Sequence, residues 1–318
     1  MSKGRRYLGW LIVVLALAPL PLFVGDALLR ILVVANLYAI YAMSWDIFSG
    51  HTGYLSFGHG FLIGVAAYTT SLLNYHYGIP PYASIPIAIL VSVLVGLLFF
   101  LPALRLRGSY FCLMTLLLVV VANLLVNTFS NVTGGDRGLT PLSTLATGAT
   151  ANFYITLVLM LVIGLGLWYV SRSNLGFVLR AIAQNEDTVE GVGIDTTKFK
   201  FFAFILSAIV ASIGGCFWVH YLGTVTPSII SLDLSISIAI AAIVGGMGTI
   251  TGPIMGAYLM LFITEYLRPF IPTPGRLLIF GLIGLIILIY CREGLMPRLS
   301  VEVKKLRNRI LNRSNALG

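Results

Sequence analysis

Residues 82–104 read YASIPIAILVSVLVGLLFFLPAL, a stretch that contains no charged side chain. A helix rises 1.5 Å per residue and the hydrocarbon core of a bilayer is about 30 Å thick, so about 20 consecutive apolar residues can cross it. This stretch is long enough to do so. It therefore predicts a transmembrane helix.

The composition of the whole chain extends this prediction. Of the 318 residues, 58% are hydrophobic and only 10% are charged, and the mean hydropathy is +0.97. A soluble domain carries about 25% charged residues. Because only lipid accommodates this much apolar surface, the chain is predicted to be an all-α polytopic membrane protein.

Ten stretches are candidate spans. Three of them (54–73, 233–249 and 252–267) contain much glycine and polar sequence, and eight spans would place the chain ends on the same side as ten. We therefore expect eight to ten transmembrane helices. The ten candidates are 7–24, 28–49, 54–73, 82–104, 109–130, 153–171, 200–222, 233–249, 252–267 and 276–291. The stretch 7–24 follows basic residues, as in a signal peptide, but no small-x-small cleavage site follows it, so it is expected to remain as the first span.

The basic residues predict that both termini are cytoplasmic. Only four of the 20 Lys and Arg residues, Arg30, Arg137, Arg268 and Arg276, fall outside on this map, and the other sixteen fall on the inner side. Cytoplasmic loops are the ones enriched in Lys and Arg. Because the basic residues flank apolar spans and do not alternate with exposed aromatics, nucleic acid is not expected as a partner.

The hydrophilic segments are too short to bury a core of their own. Residues 131–152 form an outer loop, and residues 172–199 form the longest inner loop. We expect a single transmembrane domain over residues 1–297. A basic cytoplasmic tail over residues 298–318 is expected to lie along anionic lipid headgroups.

Catalytic motifs are absent from the sequence. GxxxxGK[ST], HExxH and GxSxG do not occur, so neither nucleotide hydrolysis nor another enzymatic activity is expected of this chain. The three cysteines have no CxxC or Cys/His spacing, and His51 and His59 are too far apart in sequence to place two ligands on adjacent turns. No catalytic residue, metal site or cofactor is predicted.

The segment His51-Thr52-Gly53-Tyr54-Leu55-Ser56-Phe57-Gly58-His59-Gly60 is unusually polar for the start of a span. Polar groups in hydrocarbon cost several kcal/mol, so they must face protein or a water-filled path. Glycine permits either a close helix contact or a broken helix. We interpret the segment as part of the pathway or its gate; the alternative is a tightly packed helix pair. The candidate residues are Tyr54, Ser56, Gly58 and His59.

A second break lies at Gly245-Gly246-Met247-Gly248-Thr249-Ile250-Thr251-Gly252-Pro253. The glycines allow a sharp turn, and Pro253 is well placed at the start of a helix. The candidate pathway residues here are Gly245, Gly246, Gly248 and Thr249. The alternative is a tight turn between helices without a role in the pathway.

The inner loop is predicted to hold a short amphipathic helix. Leu175, Val178, Leu179 and Ile182 recur at helical spacing, and four acidic residues follow over 186–195. An anionic lipid surface would repel those acids. We therefore expect a protein partner to cover the apolar stripe.

The inner loop also resembles the coupling loop of branched-chain amino-acid ABC permeases, through Ser173-x-x-Gly176-x-x-x-Arg180-Ala181-Ile182-x-x-Asn185-Glu186 and Gly193-Ile194. Further blocks of that family follow its order. They are Gly53-Tyr54-x-Ser56-x-Gly58-His59, Leu106-Arg107-Gly108-x-Tyr110-Phe111, Thr133-Gly134-Gly135-x-x-Gly138-Leu139 and Gly245-Gly246-x-Gly248-Thr249-x-x-Gly252-Pro253.

The resemblance implies an ABC importer permease fold in the bacterial inner membrane. It implies a second homologous permease subunit, two cytoplasmic ATP-binding subunits that hold ATP and Mg, and a periplasmic solute-binding protein. It assigns docking on the ATP-binding subunits to Gly176, Arg180, Ala181, Asn185, Glu186 and Gly193. The implied solutes are branched-chain or related amino acids, with urea and short-chain amides as the alternative.

Two other classes remain as alternatives on the sequence. A self-contained secondary carrier or channel would need its own coupling group, and the buried acids Asp46 and Glu265 are predicted near span ends rather than at the midplane. An intramembrane enzyme would have to use His51 or His59. Both alternatives are weaker than an ATP-driven permease.

Overall fold

The computed structural model describes residues 18–103, 106, 108–291, 294–296 and 298. Most of the predicted first span and nearly all of the basic tail lie outside these residues. The described chain is helical, with one isolated antiparallel bridge between Leu139 and Val225. The helices are α1 Asp26–Trp45, α2 His59–Tyr77, α3 Pro81–Ala103, α4 Ser109–Thr128, α5 Ser130–Thr133, α6 Ala149–Ser171, α7 Asn174–Gln184, α8 Glu186–Gly191, α9 Thr196–Leu222, α10 Leu232–Gly245, α11 Thr251–Leu267 and α12 Thr273–Tyr290.

Six helical segments of the described chain are long and apolar enough to cross a membrane: Asp26–Gly50, Pro81–Ala103, Ser109–Thr128, Ala149–Ser171, Thr196–Leu222 and Pro227–Gly245. The all-helical membrane fold is thus confirmed, but the expected number of eight to ten spans is not. The helices α2, α11 and α12 lie where spans were predicted. They do not meet the same criterion because they are shorter or more polar.

Local sequence explains where several helices begin and end. Gly78 ends α2 in the left-handed conformation, with φ of 64°, and Pro81 opens α3 shortly after it. Ser231 caps α10 by accepting a hydrogen bond from Leu234 N at 3.1 Å. Asp195 caps α9 in the same way, accepting from Lys198 N.

Helix α1 forms the centre of the bundle. It packs against α6, α9, α10 and α11, and most of its side chains are buried. Polar groups on its surface have partners on its neighbours: Asn36 donates to Thr156 Oγ1 at 3.2 Å and accepts a hydrogen bond from the hydroxyl of Tyr258. Such bonds between helices satisfy polar groups that lipid could not.

Helix α3 shows how the periphery is built. Leu90, Leu94 and Leu98 are exposed along one side, which is the side available to lipid. The opposite side packs on α2 and α9 through a stripe of mostly small residues, spaced four apart, that lets the helix backbones approach closely. The stripe consists of Ser84, Ala88, Ser92, Gly96 and Phe100.

Candidate functional site

The glycine-rich segment after α1 is a break between two helices. Helix α1 continues through a wider turn over Asp46–Gly50, the chain is non-helical over 53–58, and α2 begins only at His59. The sequence-based prediction of a helix from residue 54 is therefore wrong, and the broken-helix alternative describes the segment. Side chains satisfy its backbone: Trp45 Nε1 donates to Ser56 O at 2.7 Å, and Ser56 N donates to Ser49 Oγ at 3.2 Å. These bonds fix the path of the chain between the two helices.

Gly58 lies where no side chain fits. A Cβ atom added there would come within 2.7 Å of Phe100 Cζ and 3.3 Å of Thr115 Cβ. The Phe100 ring is stacked on Phe204 with 4.2 Å between ring centroids, so it has little room to retreat. The residue therefore sets the distance between the segment and helices α3 and α4.

We expect Gly58→Leu to lower the thermal stability of the protein, because the side chain would overfill this contact at a cost of about 1–3 kcal/mol. Gly166→Leu is the matched control, since a Cβ atom at Gly166 meets nothing within 4 Å. The melting temperatures of both variants test this. A wild-type melting temperature for Gly58→Leu would show that the contact is loose.

His59 is fully enclosed at the start of α2. Ser207 Oγ donates to Ser44 O at 2.6 Å, so His59 Nε2, at 3.0 Å, must be the donor to Ser207 Oγ. The His59 ring thereby links α2, α9 and the end of α1. No group of three or more His, Cys, Asp or Glu able to hold a metal is found within the described ranges.

The second glycine-rich break is bound to the first by a carboxylate. Asp46, in the wide turn after α1, accepts hydrogen bonds from Gly248 N at 2.6 Å and from Ile250 N at 3.0 Å. Asp46 is fully buried, so these bonds replace the water that the carboxylate has lost. The two segments that the sequence suggested separately are thus in direct contact.

The second break holds an unusual backbone. Ile250 has φ of +60°, which is rare for a β-branched residue and indicates local strain. Gly245 packs so closely on the start of α11 that an added Cβ would lie 1.9 Å from Gly252 O. Thr249 Oγ1 donates to Gly246 O at 2.7 Å and accepts from Gly252 N at 2.9 Å. The turn is therefore fixed at both ends.

The inner loop begins with a tight turn into α7. A Cβ atom on Gly176 would lie 2.1 Å from Ser171 O, so only glycine allows this approach. Arg180 Nη1 donates to the same carbonyl at 2.8 Å. Ser171 Oγ lies 2.9 Å from His51 Nε2, and His51 Nδ1 donates to Asp46 O at 2.9 Å. This chain of bonds connects the loop to the first glycine-rich segment.

Glu186 makes a second connection between the loop and that segment. Its carboxylate accepts from Tyr54 Oη at 2.5 Å and from Lys200 Nζ at 2.6 Å. The Lys200 side chain is only 3% exposed, and its ammonium also lies 4.5 Å from the centre of the Tyr54 ring. Thr196 donates to the same carboxylate at 2.9 Å. We call Tyr54, Glu186, Thr196 and Lys200 the loop anchor.

The loop anchor sets the protonation of Glu186. Burial would raise the pKa of this carboxyl, but hydrogen bonds from Lys200, Tyr54 and Thr196 and the charge of Lys200 outweigh it and hold the pKa below its ordinary value. A carboxyl with a lowered pKa stabilises the docked loop above its ordinary pKa, and this contribution is lost as the pH falls through the lowered value.

We therefore expect the loop to stay docked throughout the neutral range and to loosen only in acid, below the pH at which a free glutamate titrates. A fluorophore on Val192→Cys, in a variant lacking the three native cysteines, would report this as a rise in mobility. In Glu186→Gln the mobility should not change over that acid range. A transition near neutral pH in the unmodified loop would contradict the assignment.

The amphipathic stripe of α7 faces the protein's own core. Leu179 and Ile182 are buried, and Leu175 and Val178 pack against the same cluster. The expectation that a partner covers this stripe is therefore wrong, because helices α6, α8 and α9 already do so. The face left exposed carries Phe177, which is 63% exposed, and Ala181, and Val192 near the end of the loop is 72% exposed.

The other predicted loop residues have local roles. Asn185 caps α8 by accepting from Thr188 N at 3.0 Å. Gly193 turns the chain with φ of +85°. Docking on another subunit by Gly176, Arg180, Ala181, Asn185, Glu186 and Gly193 stays a prediction, and the described contacts of Arg180 and Glu186 are with this chain.

Sequence reasoning did not find the residues that join these segments. Lys200 was counted only as a topology signal, Ser171 was not considered, and Asp46 was noted only as a buried acid. The available signal was the position of a lone Asp and a lone Lys at the inner ends of apolar spans, since a charge there needs a partner. The contacts of Asp46 with Gly248 and of Lys200 with Tyr54 span more than a hundred residues, whereas the Lys200–Glu186 pair spans only 14.

Comparisons with known proteins agree with this architecture. A family model described as branched-chain amino acid transport system / permease component matches residues 27–290. The high-affinity branched-chain amino acid transport system permease protein LivM of Salmonella typhimurium is 27% identical, over 89% of this chain and 73% of its own. The "Probable branched-chain amino acid transport permease protein LivH" of Methanocaldococcus jannaschii is 29% identical, over 81% of this chain and 86% of its own.

A solved structure shares the fold. It is described as "An inward-facing conformation of a putative metal-chelate type ABC transporter", with a TM-score of 0.50 and 18% sequence identity, covering 83% of this chain and 85% of that one. At this identity the likeness concerns the arrangement of helices alone.

Proposed function

The chain belongs to the family of branched-chain amino acid transport system permease components, and from this membership we propose that it translocates branched-chain or related amino acids across the bacterial inner membrane. It would do so as one permease subunit of a binding-protein-dependent ABC importer. The relative from Salmonella typhimurium bears the name of a permease for such amino acids. Both chain termini lie in the cytoplasm in this proposal, as the distribution of basic residues predicts.

The proposed transporter needs further subunits. A second, related permease is supported by the similarity of this chain to relatives named LivM and LivH, which are separate proteins in one organism. Two cytoplasmic ATP-binding subunits would hold ATP and Mg, and a periplasmic protein would deliver the solute. This chain contributes one domain over residues 1–297 and no catalytic group.

The observation that carries the proposal is the loop anchor. An ATP-driven permease must transmit movement from a cytoplasmic surface to its pathway, and the Glu186–Tyr54 bond joins the inner loop to the glycine-rich segment that we propose as part of that pathway. The loop exposes Phe177 and Val192 and contacts the glycine-rich segment through the hydrogen bond between Glu186 and Tyr54. Displacement of the loop would therefore pull on residues 51–58.

The mechanism that follows is alternating access. Closure of the ATP-binding subunits would move the inner loop, and the loop anchor together with the Ser171–His51 bond would pass that movement to the break between α1 and α2. The Asp46 carboxylate would carry it to the second break. The helices adjoining both breaks would then tilt together and change the side from which the solute has access.

Uptake into membrane vesicles tests the proposal. Labelled leucine should accumulate only when ATP, the solute-binding protein and the related permease are all present. Urea and acetamide serve as the alternative solutes. Accumulation by this chain alone in proteoliposomes, driven by an ion gradient, would instead establish a self-contained carrier.

A further inference from the structure

A cavity of about 560 Å³ opens between the outer ends of the helices. Its size lies within the roughly 300–1,000 Å³ of typical small-molecule sites. It is remote from the loop anchor, because the helices α1, α10 and α11 that line it have their inner ends at the two glycine-rich breaks. The mechanism above does not use it.

The deep part of the cavity is largely apolar and aromatic. On α1 it is lined by Val34, Tyr38 and Tyr41, which follow one another at the spacing of a single helix face. Tyr41 lies seven positions after Val34, so the cavity follows α1 for roughly 10 Å. Trp218 meets the Tyr38 ring edge-on with 6.0 Å between centroids, and Met260 lies opposite on α11.

The outer rim of the cavity carries charges of both signs. Glu265 and Arg268 form a pair on α11 at 3.3 Å, and the Arg268 side chain is 68% exposed. Asp233, in the first turn of α10, is exposed, and its side chain makes no hydrogen bond or ion pair with any residue that the structure describes. Arg276 on α12 is half-buried and donates to Thr264 O at 3.4 Å. Two carboxylates and two guanidinium groups thus surround an apolar interior.

We propose that this cavity is an outward-facing receiving site for a zwitterionic, apolar amino acid, with Asp233 binding the ammonium group, Arg276 binding the carboxylate and the aromatic interior holding the side chain. The inference rests on the proposed function and names the part of this chain that meets the solute. A guanidinium presents a planar fork of donors that matches a carboxylate. The carboxylate of Asp233 at the rim attracts an ammonium group by its opposite charge.

The distribution of charge favours an amino acid over the other solutes. A rim with two groups of each sign is neutral overall, as a zwitterion is, and would give an anion or a cation no net attraction. Urea and short amides have no charge for Asp233 or Arg276 to bind and no side chain to fill the space between Tyr38, Trp218 and Met260. The depth of the cavity along α1 therefore matches a solute with one apolar and one doubly charged end.

Equilibrium binding to the complete transporter tests the site. Purified with its attached subunits but without the solute-binding protein, the transporter is titrated with labelled leucine, and two analogues compete: 4-methylpentanoate, which lacks the ammonium group, and isoamylamine, which lacks the carboxylate. We expect each analogue to bind at least about tenfold more weakly than leucine, since a hydrogen bond to a charged group accounts for about that ratio.

Variants at Asp233 and Arg276 should then distinguish the contributions of the two charged side chains to leucine affinity. Asp233→Asn should lower the affinity for leucine to that for 4-methylpentanoate, without changing the affinity for 4-methylpentanoate. Arg276→Gln should lower the affinity for leucine to that for isoamylamine, without changing the affinity for isoamylamine. Asp136→Asn, an exposed acid of the outer loop, is the matched control and should change none of the three affinities.

Three results would overturn the proposal: no binding of leucine by the wild-type transporter, unchanged leucine affinity in both variants, or equal losses for leucine and both analogues. Loss of a subunit from both variants but not from Asp136→Asn would make the cavity a subunit interface and would overturn it too. Normal ATP-dependent leucine uptake in vesicles alongside any of these results would leave the proposed function intact. Absence of that uptake in the wild type would refute the function itself.

Discussion

Glu186→Lys is expected to abolish solute uptake while the assembled transporter continues to hydrolyse ATP. The substitution places a second ammonium beside Lys200, whose nitrogen now lies 2.6 Å from the Glu186 carboxylate. Removing one partner of a buried ion pair typically costs about 3–5 kcal/mol, and repulsion between the two lysines adds to this. Tyr54 loses its acceptor at the same time. The loop then loses its connection to the glycine-rich segment through Tyr54, while the connection through Ser171 and His51 and the exposed face of the loop are unchanged.

ATPase activity and uptake measured on the same preparation test this result, with Asp187→Lys as the control. Asp187 is the adjacent acid and is exposed, so the same change of charge there should leave uptake nearly unchanged. Glu186→Gln should fall between the two, because the amide keeps an acceptor oxygen but not the charge. Uptake at the wild-type level in Glu186→Lys would mean that the loop anchor does not transmit movement.

Asp46→Asn is expected to have the other large effect, although the two side chains have the same shape. Both carboxylate oxygens accept a backbone hydrogen bond, one from Gly248 N and one from Ile250 N. An amide offers one oxygen, so its NH₂ group must face one of these N–H donors. Hydrogen bonds to a charged group contribute about 1.5–3 kcal/mol each, and a buried donor left without an acceptor adds its desolvation cost. We expect a clear loss of thermal stability together with loss of uptake.

The control for this substitution is Asp26→Asn, at the exposed start of the same helix. It removes the same charge where water can replace any lost contact, so only a small change in melting temperature is expected. Similar losses of stability in the two variants would show that Asp46 does not hold the second break in place.

The sequence was sufficient to predict elements that depend on composition alone. The stretch 82–104 became helix Pro81–Ala103, and the inner loop holds a short amphipathic helix at Asn174–Gln184. It was insufficient at the first break, where hydropathy continues from 54 onward but the polar groups of Ser49 and Trp45 hold residues 53–58 out of the helix. Hydropathy does not record such bonds.

The candidate site was predictable only in its parts. Gly58 and Gly245 were singled out as candidate pathway residues, and that role stays a prediction; the added-Cβ distances show that each glycine lies in a close contact. The direction of the amphipathic helix was predicted wrongly because Leu179 and Ile182 could face either a partner or this chain's own core. Spacing fixes which residues share a face, but the tertiary fold decides what that face meets.

The contacts of α1 with α11 have a mechanical consequence. Hydrogen bonds connect the two helices at two positions. Asn36 accepts from Tyr258, and Asp46 accepts from the turn that leads into α11. Asn36 and Asp46, the latter in the wide turn that continues α1, are ten positions apart, or roughly 15 Å along the helix axis. Two separate sets of hydrogen bonds oppose both sliding and pivoting, so we expect the pair to move as one unit. Any movement of this unit would then keep the angle between α1 and α11 and change only their inclination to the remaining helices.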